Sequence, residues 1–427
     1  MSDRIYSILS YLLISILFAA TLGGSTPLPD AEIDKLGDYT RGIRYDFLSW
    51  VADASWIKLQ QAALGSPYYL EHAGRKEIVT KYLHQMGLVL QAEWELDQIY
   101  TNPEITDPES ASATLRARLD ALYAEQRQLA PFAESVLEEQ ISIVLAEANL
   151  TTGGQPLPRP LYHISPLPMA LIISPRETIR QDKNISLLVD FPVDKQDTLE
   201  EKITAELDLS ALVVPVGGIG IYPTMGMRST NLPWIVDTMA HEWMHNYLTW
   251  HPLGWNYDTT PELRTINETV ASIVGGEVGE MVLAWCHNSN PELLSHKHPP
   301  LNLLSLYDQN LDPEPPPFSY RAEMHETRLH VDELLAAEEI EEAEAYMETR
   351  RQFMWENGYA IRKLNQAYFA FYGAYADVPG GAAGEDPVGP AVRTLREQND
   401  SLADFVHKVM WVNSFEKLEE MIIVKTD

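Results

Sequence analysis

The stretch of sequence that decides the fold is His241-Glu242-Trp243-Met244-His245. Histidines four residues apart lie on one face of a helix, so two imidazole nitrogens can meet at a single metal ion. Glu242 follows the first histidine and can reach a water molecule on that metal, as a general base does. With 12 histidines and 62 acidic residues in 427 positions, about 0.05 such matches are expected by chance. The pattern therefore predicts a metal-binding helix.

The residues around this pattern predict two successive helices. Asn231 and Pro233 are typical of a helix start, so we expect the first helix to cover residues 234–250. A second helix is expected over residues 262–284. Apolar side chains recur along another face of the first helix and should anchor it in the core, at Ile235, Met239 and Trp243.

Two residues are candidates for the third metal ligand. A catalytic zinc takes three protein ligands and keeps one position open. His251 follows His245 by six residues, which is the metzincin spacing, but Leu248 stands where that pattern needs a glycine. Glu268 lies 23 residues after His245 and early on the second predicted helix, so a helical hairpin can return it to the metal. We favour Glu268 because it fits the ligand set of an open zinc site better.

The HExxH pattern followed by Asn267-Glu268-Thr269-Val270-Ala271 resembles the gluzincin metallopeptidases. In that family the glutamate of the second helix is the third ligand. The resemblance implies that His241, His245 and Glu268 bind one Zn²⁺ per chain. It also implies that Glu242 is the catalytic base.

A second likeness lies further along the chain. Residues 364–367, with the sequence Leu-Asn-Gln-Ala, and the downstream Tyr372 and Tyr375 resemble the C-terminal region of bacterial predicted aminopeptidases of gluzincin type. Gln366 departs from the pattern, which has a second asparagine there. The resemblance implies that Tyr375, or else Tyr372, donates a hydrogen bond to the transition state.

Short β-type runs precede the metal helix. They are bounded by Pro, Asp and Gly and lie at residues 170–174, 186–189 and 212–216. Residues 217–222 continue the last run, and Pro215 with three glycines suits an edge strand. An edge strand beside a peptidase site could pair with an extended substrate.

We therefore predict an α+β fold that is mainly helical, with gluzincin-like zinc helices packed on a small mixed β-sheet. Gly- and Pro-rich breakers and changes in composition suggest five segments. These are a signal peptide or N-terminal membrane anchor (1–27), a helical N-terminal domain (28–160), a catalytic core of sheet and zinc-binding helices (161–290), a Pro-rich loop (291–325) and a helical C-terminal region (326–427).

The N-terminus predicts export. Residues 5–22 are an almost unbroken apolar run that follows Arg4, and no further Lys or Arg occurs before Lys35. We expect an extracytoplasmic protein, secreted or anchored to the membrane by this segment. Cys286 is the only cysteine, so no intramolecular disulfide can form.

Charge limits the class of partner. The chain has 31 Lys and Arg against 62 Asp and Glu, a net charge of −31. Nucleic acid is excluded as a partner, because binding phosphates requires clustered cations. The expected partner is a peptide or protein substrate, with the membrane added if residues 5–22 are retained; the sequence gives no oligomeric state.

These observations lead to one hypothesis of function with three alternatives. The hypothesis is a zinc-dependent peptidase with Glu242 as the general base, and an aminopeptidase is one form of it. The first alternative is a metzincin-like endopeptidase that uses His251 as third ligand. The second is a non-hydrolytic zinc-binding surface protein. The third is a structural helical protein with no metal.

Overall fold

The computed structural model describes residues 32–65, 69–101, 107–189, 191–289, 318–359, 361–373 and 387–423. Fifteen helices and two three-stranded sheets lie in this part of the chain, which confirms the predicted mainly helical α+β fold. The helices are α1 (Glu32–Tyr39), α2 (Phe47–Leu64), α3 (His72–Thr101), α4 (Pro108–Ala111), α5 (Ala113–Glu147), α6 (Val193–Leu207), α7 (Leu232–Leu248), α8 (Pro252–Trp255), α9 (Pro261–Ser289), α10 (Tyr320–Ala336), α11 (Ile340–Glu356), α12 (Gln366–Tyr372), α13 (Val388–Glu397), α14 (Leu402–Val409) and α15 (Phe415–Ile423). The strands are β1 (Tyr162–Ile164), β2 (Met169–Pro175), β3 (Lys183–Leu187), β4 (Leu209–Val214), β5 (Gly218–Ile219) and β6 (Thr224–Gly226).

The chain forms two compact units, residues 1–42 and residues 43–427. In its described part the first unit holds α1, and all other elements belong to the second. The five predicted segments stay predictions, with one correction at the end of the Pro-rich loop. Helix α10 begins at Tyr320 rather than after residue 325, because the Ser319 hydroxyl accepts the amide hydrogen of Ala322 and caps the helix start.

The strands form two sheets where the sequence predicted one. In the first sheet, β2 is central and pairs antiparallel with β3 and β4. In the second, β6 is central and pairs parallel with β1 and antiparallel with β5. The predicted single run through residues 212–222 is wrong, since β4 ends at Val214 and β5 belongs to the other sheet. Pro215 follows β4 directly and has no amide hydrogen with which to continue a ladder.

Helix α7 lies in the main hydrophobic core, as its apolar face predicted. Ile235, Met239 and Trp243 are all less than 5% exposed. The Trp243 indole also donates a hydrogen bond of 2.7 Å to the Pro158 carbonyl, which satisfies its polar atom.

Helices α7 and α9 pack closely because α9 has glycines at the crossing. A Cβ atom on Gly275 would lie 2.9 Å from the Asp237 carbonyl oxygen and 3.1 Å from the His241 Cβ. A Cβ on Gly279, one turn further along α9, would lie 3.3 Å from the Asp237 Cα. Any larger residue at Gly275 would push α9 away from the face that carries His241.

A buried ion cluster joins α2, α5 and β1. Lys58 lies 2.7 Å from Glu134 and 2.8 Å from Glu138, and all three side chains are less than 10% exposed. Glu134 also contacts the His163 ring at 3.0 Å. Burial acts to raise the pKa of Glu134, but Lys58 and His163 lower it to about 2. The cluster holds the N-terminal helices against the sheet that contains β5.

No helix in the described ranges is long and apolar enough to cross a membrane. The predicted signal or anchor at residues 5–22 lies outside those ranges.

Adjacent glycines of α9 give a matched test of the helix crossing. We expect Gly275→Ala to lower the free energy of unfolding by about 1–3 kcal/mol, since its Cβ overpacks against α7. Gly276 has no neighbouring atom within 4 Å of such a Cβ, so Gly276→Ala should be neutral or stabilising by up to about 1 kcal/mol. Urea denaturation of both variants without metal measures the difference. Equal effects at the two positions would contradict the close crossing.

Candidate metal centre

Helix α7 brings the two histidines together. Asn231 caps the helix by accepting the Trp234 amide hydrogen at 3.3 Å, so the helix starts two residues before the predicted boundary. His241 and His245 lie one turn apart, and their Nε2 atoms are 3.1 Å from each other. Both imidazoles thus present a nitrogen to the same point.

Glu268 completes the group from α9. Its Oε2 atom lies 3.5 Å from His241 Nε2 and 3.6 Å from His245 Nε2. The carboxylate is buried, and Oε2 has no hydrogen-bond partner among the described residues. The ligand atoms of these three residues all lie within 4.8 Å of one another. The structure therefore brings together the three residues that the sequence proposed as metal ligands.

The donor set fits a divalent metal ion. Zinc binds nitrogen and oxygen ligands at about 2.0–2.1 Å, so two ligands at a tetrahedral site are about 3.3 Å apart. The distances among the three donors lie close to that value. The buried Oε2 of Glu268 faces the two imidazoles without a hydrogen bond, and a cation held by all three residues would bind that oxygen directly.

Asn267 orients one of the histidines. Its Oδ1 atom lies 2.8 Å from His245 Nδ1, and its Nδ2 donates to the Leu253 carbonyl at 3.2 Å. Because Asn267 Oδ1 accepts a hydrogen bond from His245 Nδ1, the hydrogen of the neutral imidazole lies on Nδ1, and Nε2 can bind a metal. The sequence pattern included Asn267 but did not predict this role.

Tyr257 is the residue at the centre that sequence reasoning missed. It lies in the connection between α8 and α9, and its hydroxyl donates a hydrogen bond to Glu268 Oε1. Its ring stands edge-on to the His245 ring, with the centroids 6.0 Å apart. The only signal in the sequence was the presence of a tyrosine between the two predicted helices. A residue in a connection follows no helical periodicity, so its contact with Glu268 could not be predicted.

Glu242 lies against β5. Its side chain is almost fully buried, and a Cβ atom on Gly218 would come within 2.6 Å of its Oε1. A Cβ on Gly220 would similarly lie 3.3 Å from Oε2 and 3.0 Å from the His245 Cβ. The absence of side chains at Gly218 and Gly220 therefore leaves room for the Glu242 carboxylate in this position. Burial raises the pKa of Glu242, which makes its carboxylate a better proton acceptor near neutral pH.

His251 is engaged elsewhere. Its Nδ1 lies 3.0 Å from the Tyr247 carbonyl, and its ring stacks on the Tyr247 ring with centroids 4.7 Å apart. The group of possible metal ligands found in the described residues does not include it.

Of the two tyrosines predicted to act in catalysis, the structure describes Tyr372 only. Tyr372 ends α12, where its ring packs on Tyr368 and Phe371 at centroid distances of 4.5 and 5.0 Å. Tyr375 lies outside the described residues. A catalytic role for either stays a prediction.

No protein-family model, curated protein or solved structure matches this chain. The candidate metal site is therefore supported by the geometry of His241, His245 and Glu268, and membership of the gluzincins is a proposal.

The third ligand can be tested by metal content. We expect Glu268→Ala to lose bound zinc, because a site reduced to two imidazoles holds the ion far more weakly. His251→Ala is the matched control and should keep one zinc per chain. Elemental analysis of the purified variants measures both. Retention of zinc by Glu268→Ala with its loss from His251→Ala would reverse the assignment.

Metal affinity should depend on pH. Burial acts to lower the pKa of His245, but Glu268 raises the pKa of the metal-free imidazole to about 9. Zinc must displace that proton, so we expect its affinity to rise with pH, about tenfold per unit between pH 6 and 8. Competition with a chelator of known pH dependence measures this slope. An affinity that does not change over the interval would show that His245 carries no proton in the metal-free protein.

Proposed function

We propose that this chain is a zinc-dependent peptidase. The observation that carries the proposal is the group formed by the imidazoles of His241 and His245 with the buried carboxylate of Glu268. A fourth residue, Glu242, lies on the same helix as the histidines and packs against Gly218 of β5 and Gly220. Three donors with an adjacent carboxylate are the parts of a hydrolytic metal site.

The likeness of the motifs to gluzincin metallopeptidases agrees with this proposal. It supplies the choice of peptide bonds as substrate, since the geometry alone would serve other hydrolyses. The N-terminal apolar run adds the expectation that the enzyme acts outside the cytoplasm, secreted or held at the membrane.

Glu242 is the proposed general base. When bound, zinc lowers the pKa of a water molecule towards about 7 and polarises the scissile carbonyl. A Glu242 carboxylate oxygen accepts the proton that this water loses as its oxygen bonds to the carbonyl carbon. The same residue then delivers the proton to the amide nitrogen as the C–N bond breaks, which yields a carboxylic acid and an amine. Desolvation of Glu242 favours the first transfer because it raises the proton affinity of the carboxylate.

Tyr257 and Asn267 hold the ligands in place. The Tyr257 hydroxyl fixes Oε1 of Glu268, so that Oε2 remains directed at the two histidines. Asn267 fixes the His245 ring through Nδ1. Such outer contacts typically change metal affinity or activity by about 10–100-fold when removed.

The edge strand β5 suits an extended substrate. It lies at the edge of its sheet and runs beside Glu242. We propose that a peptide pairs with this edge and so presents a backbone carbonyl to the metal centre.

Glu242 can be tested without disturbing the metal. We expect Glu242→Gln to keep one zinc per chain and to lose hydrolysis of a mixed peptide library by at least about 100-fold, since an amide cannot accept the proton. Glu280→Gln is the matched control, because Glu280 is exposed on the neighbouring α9 and should change neither quantity. Mass spectrometry of the products measures the rate and shows which bonds are cut. Full activity of Glu242→Gln would refute its role as base, and absence of zinc from the wild type would refute the proposed function.

A further inference from the structure

A cavity of about 260 Å³ lies at the start of α9, the helix that carries Glu268. Its walls come from the residues between β2 and β3, from Asp258 to Thr265 at the start of α9, from Arg328 of α10 and from the end of α12. The segment at the start of α9 begins one residue after Tyr257 and ends three residues before Glu268. The cavity wall and the metal centre thus use neighbouring residues of the same helix.

Positive charge is concentrated in this cavity, although the protein as a whole is strongly acidic. Three arginines line it against two aspartates, in a chain of net charge −31. Arg180 is paired with Asp182 at 2.5 and 3.2 Å, and the two charges largely cancel. The other charged residues of the lining are Arg264, Arg328 and the exposed Asp258, and Arg328 also pairs through its Nε with Asp332, which lies outside the lining.

Arg328 is held in a fixed orientation. Its Nε donates to Asp332 at 2.7 Å, and its guanidinium lies 5.7 Å from the centre of the Phe369 ring. Gly373 leaves room for it, since a Cβ there would lie 3.3 Å from Arg328 Nη1. The terminal nitrogens of a guanidinium held by its Nε can form the two-pronged hydrogen bond that carboxylates and phosphates accept.

Arg264 links the cavity to the metal centre. It is almost fully buried on α9, where its Nη1 donates to the Ala370 carbonyl at 3.0 Å. It also lies within hydrogen-bonding reach of the Tyr257 hydroxyl, which in turn contacts Glu268. The first turn of α9 adds amide dipoles that favour a negative charge at the same place. A ligand that contacts Arg264 would therefore be connected to Glu268 through two side chains, those of Arg264 and Tyr257.

We propose that this cavity binds a carboxylate of the substrate, so that the enzyme selects peptides with a negative charge near the cleaved bond. The inference rests on the proposed peptidase function. The cavity volume is smaller than that of sites for drug-sized ligands, which is about 300–1,000 Å³. The cavity therefore suits a group the size of a single amino acid. The carboxylate can come from an acidic side chain or from a free C-terminus, and both offer the same chemistry to a guanidinium.

The first test compares matched peptides as substrates of the full-length zinc enzyme. In one pair, the two peptides differ only in whether the C-terminus is free or amidated. In the other pairs, the two peptides differ only in having Glu or Gln at one position near the cut. We expect the charged member of at least one pair to have a kcat/KM about tenfold higher or more, and Arg328→Met to remove that preference. Arg118→Met, a change at a half-exposed arginine on α5, is the control and should keep it.

The second test measures binding without turnover, so that it remains informative if no peptide is cleaved. Calorimetry with the Glu242→Gln protein uses two probes, N-acetylglutamate α-amide and N-acetylglutamine, which carry the side-chain and the terminal carboxylate respectively. Asp258→Asn should tighten binding of the preferred probe about twofold or more, because it removes the unpaired negative charge from the cavity. Arg328→Met should weaken it about tenfold. Opposite effects of two substitutions in one cavity cannot come from a general loss of folding.

The outcomes separate the two proposals. Arginine-dependent binding of a carboxylate probe supports the cavity assignment even if hydrolysis is never observed, and only the peptidase function then fails. Hydrolysis with no preference for charged peptides, and no effect of Arg328→Met, overturns the cavity assignment and leaves the peptidase intact. Inorganic phosphate that binds more tightly than either carboxylate probe overturns it as well.

Discussion

The close crossing of α7 and α9 is the constraint on which the rest of the site depends. Ligand atoms from two helices can converge on one point only if the helices approach closely there. Gly275 permits this approach where α9 passes Asp237 and His241. It follows Glu268 by seven residues, about two helical turns, so the glycine and the carboxylate share the face of α9 that meets α7. The absence of a side chain at Gly275 therefore allows Glu268, the proposed third ligand, to reach the two histidines.

The electrostatics of the centre follow from this burial. The two histidines hold the pKa of Glu268 well below its usual range, although burial acts in the opposite direction. The charge pair stabilises the metal-free site, but Oε2 of Glu268 still has no hydrogen-bond donor among the described residues. A divalent cation would replace the histidine proton and satisfy that oxygen directly. Tyr257 and Asn267 hold the other polar atoms of the ligands, so little rearrangement is needed on binding.

The C-terminal motif has a structural role that its likeness to peptidases did not suggest. Asn365 caps α12 by accepting the Tyr368 amide hydrogen at 3.0 Å, and its own amide donates to the Ala211 carbonyl of β4. These bonds fix α12 on the first sheet, with Ala367 and Phe371 in the apolar contact. The end of the same helix then forms one wall of the arginine-lined cavity. The motif that resembles peptidases therefore positions a helix that forms part of the cavity wall.

The sequence by itself determined the local features of this protein: the mainly helical α+β class, the metal helix to within two residues of its start, and the pairing of His241 with His245 on one face. These depend on neighbours within a few positions, where caps and helical periodicity act. It also named Glu268, through a spacing that a helical hairpin allows. The tertiary structure decided the two-sheet arrangement, since β1 pairs with a strand some sixty residues later. It likewise decided the roles of Tyr257 and Gly275. Each of these residues contacts a residue on another element, Glu268 and Asp237 respectively, and local sequence patterns do not predict such contacts.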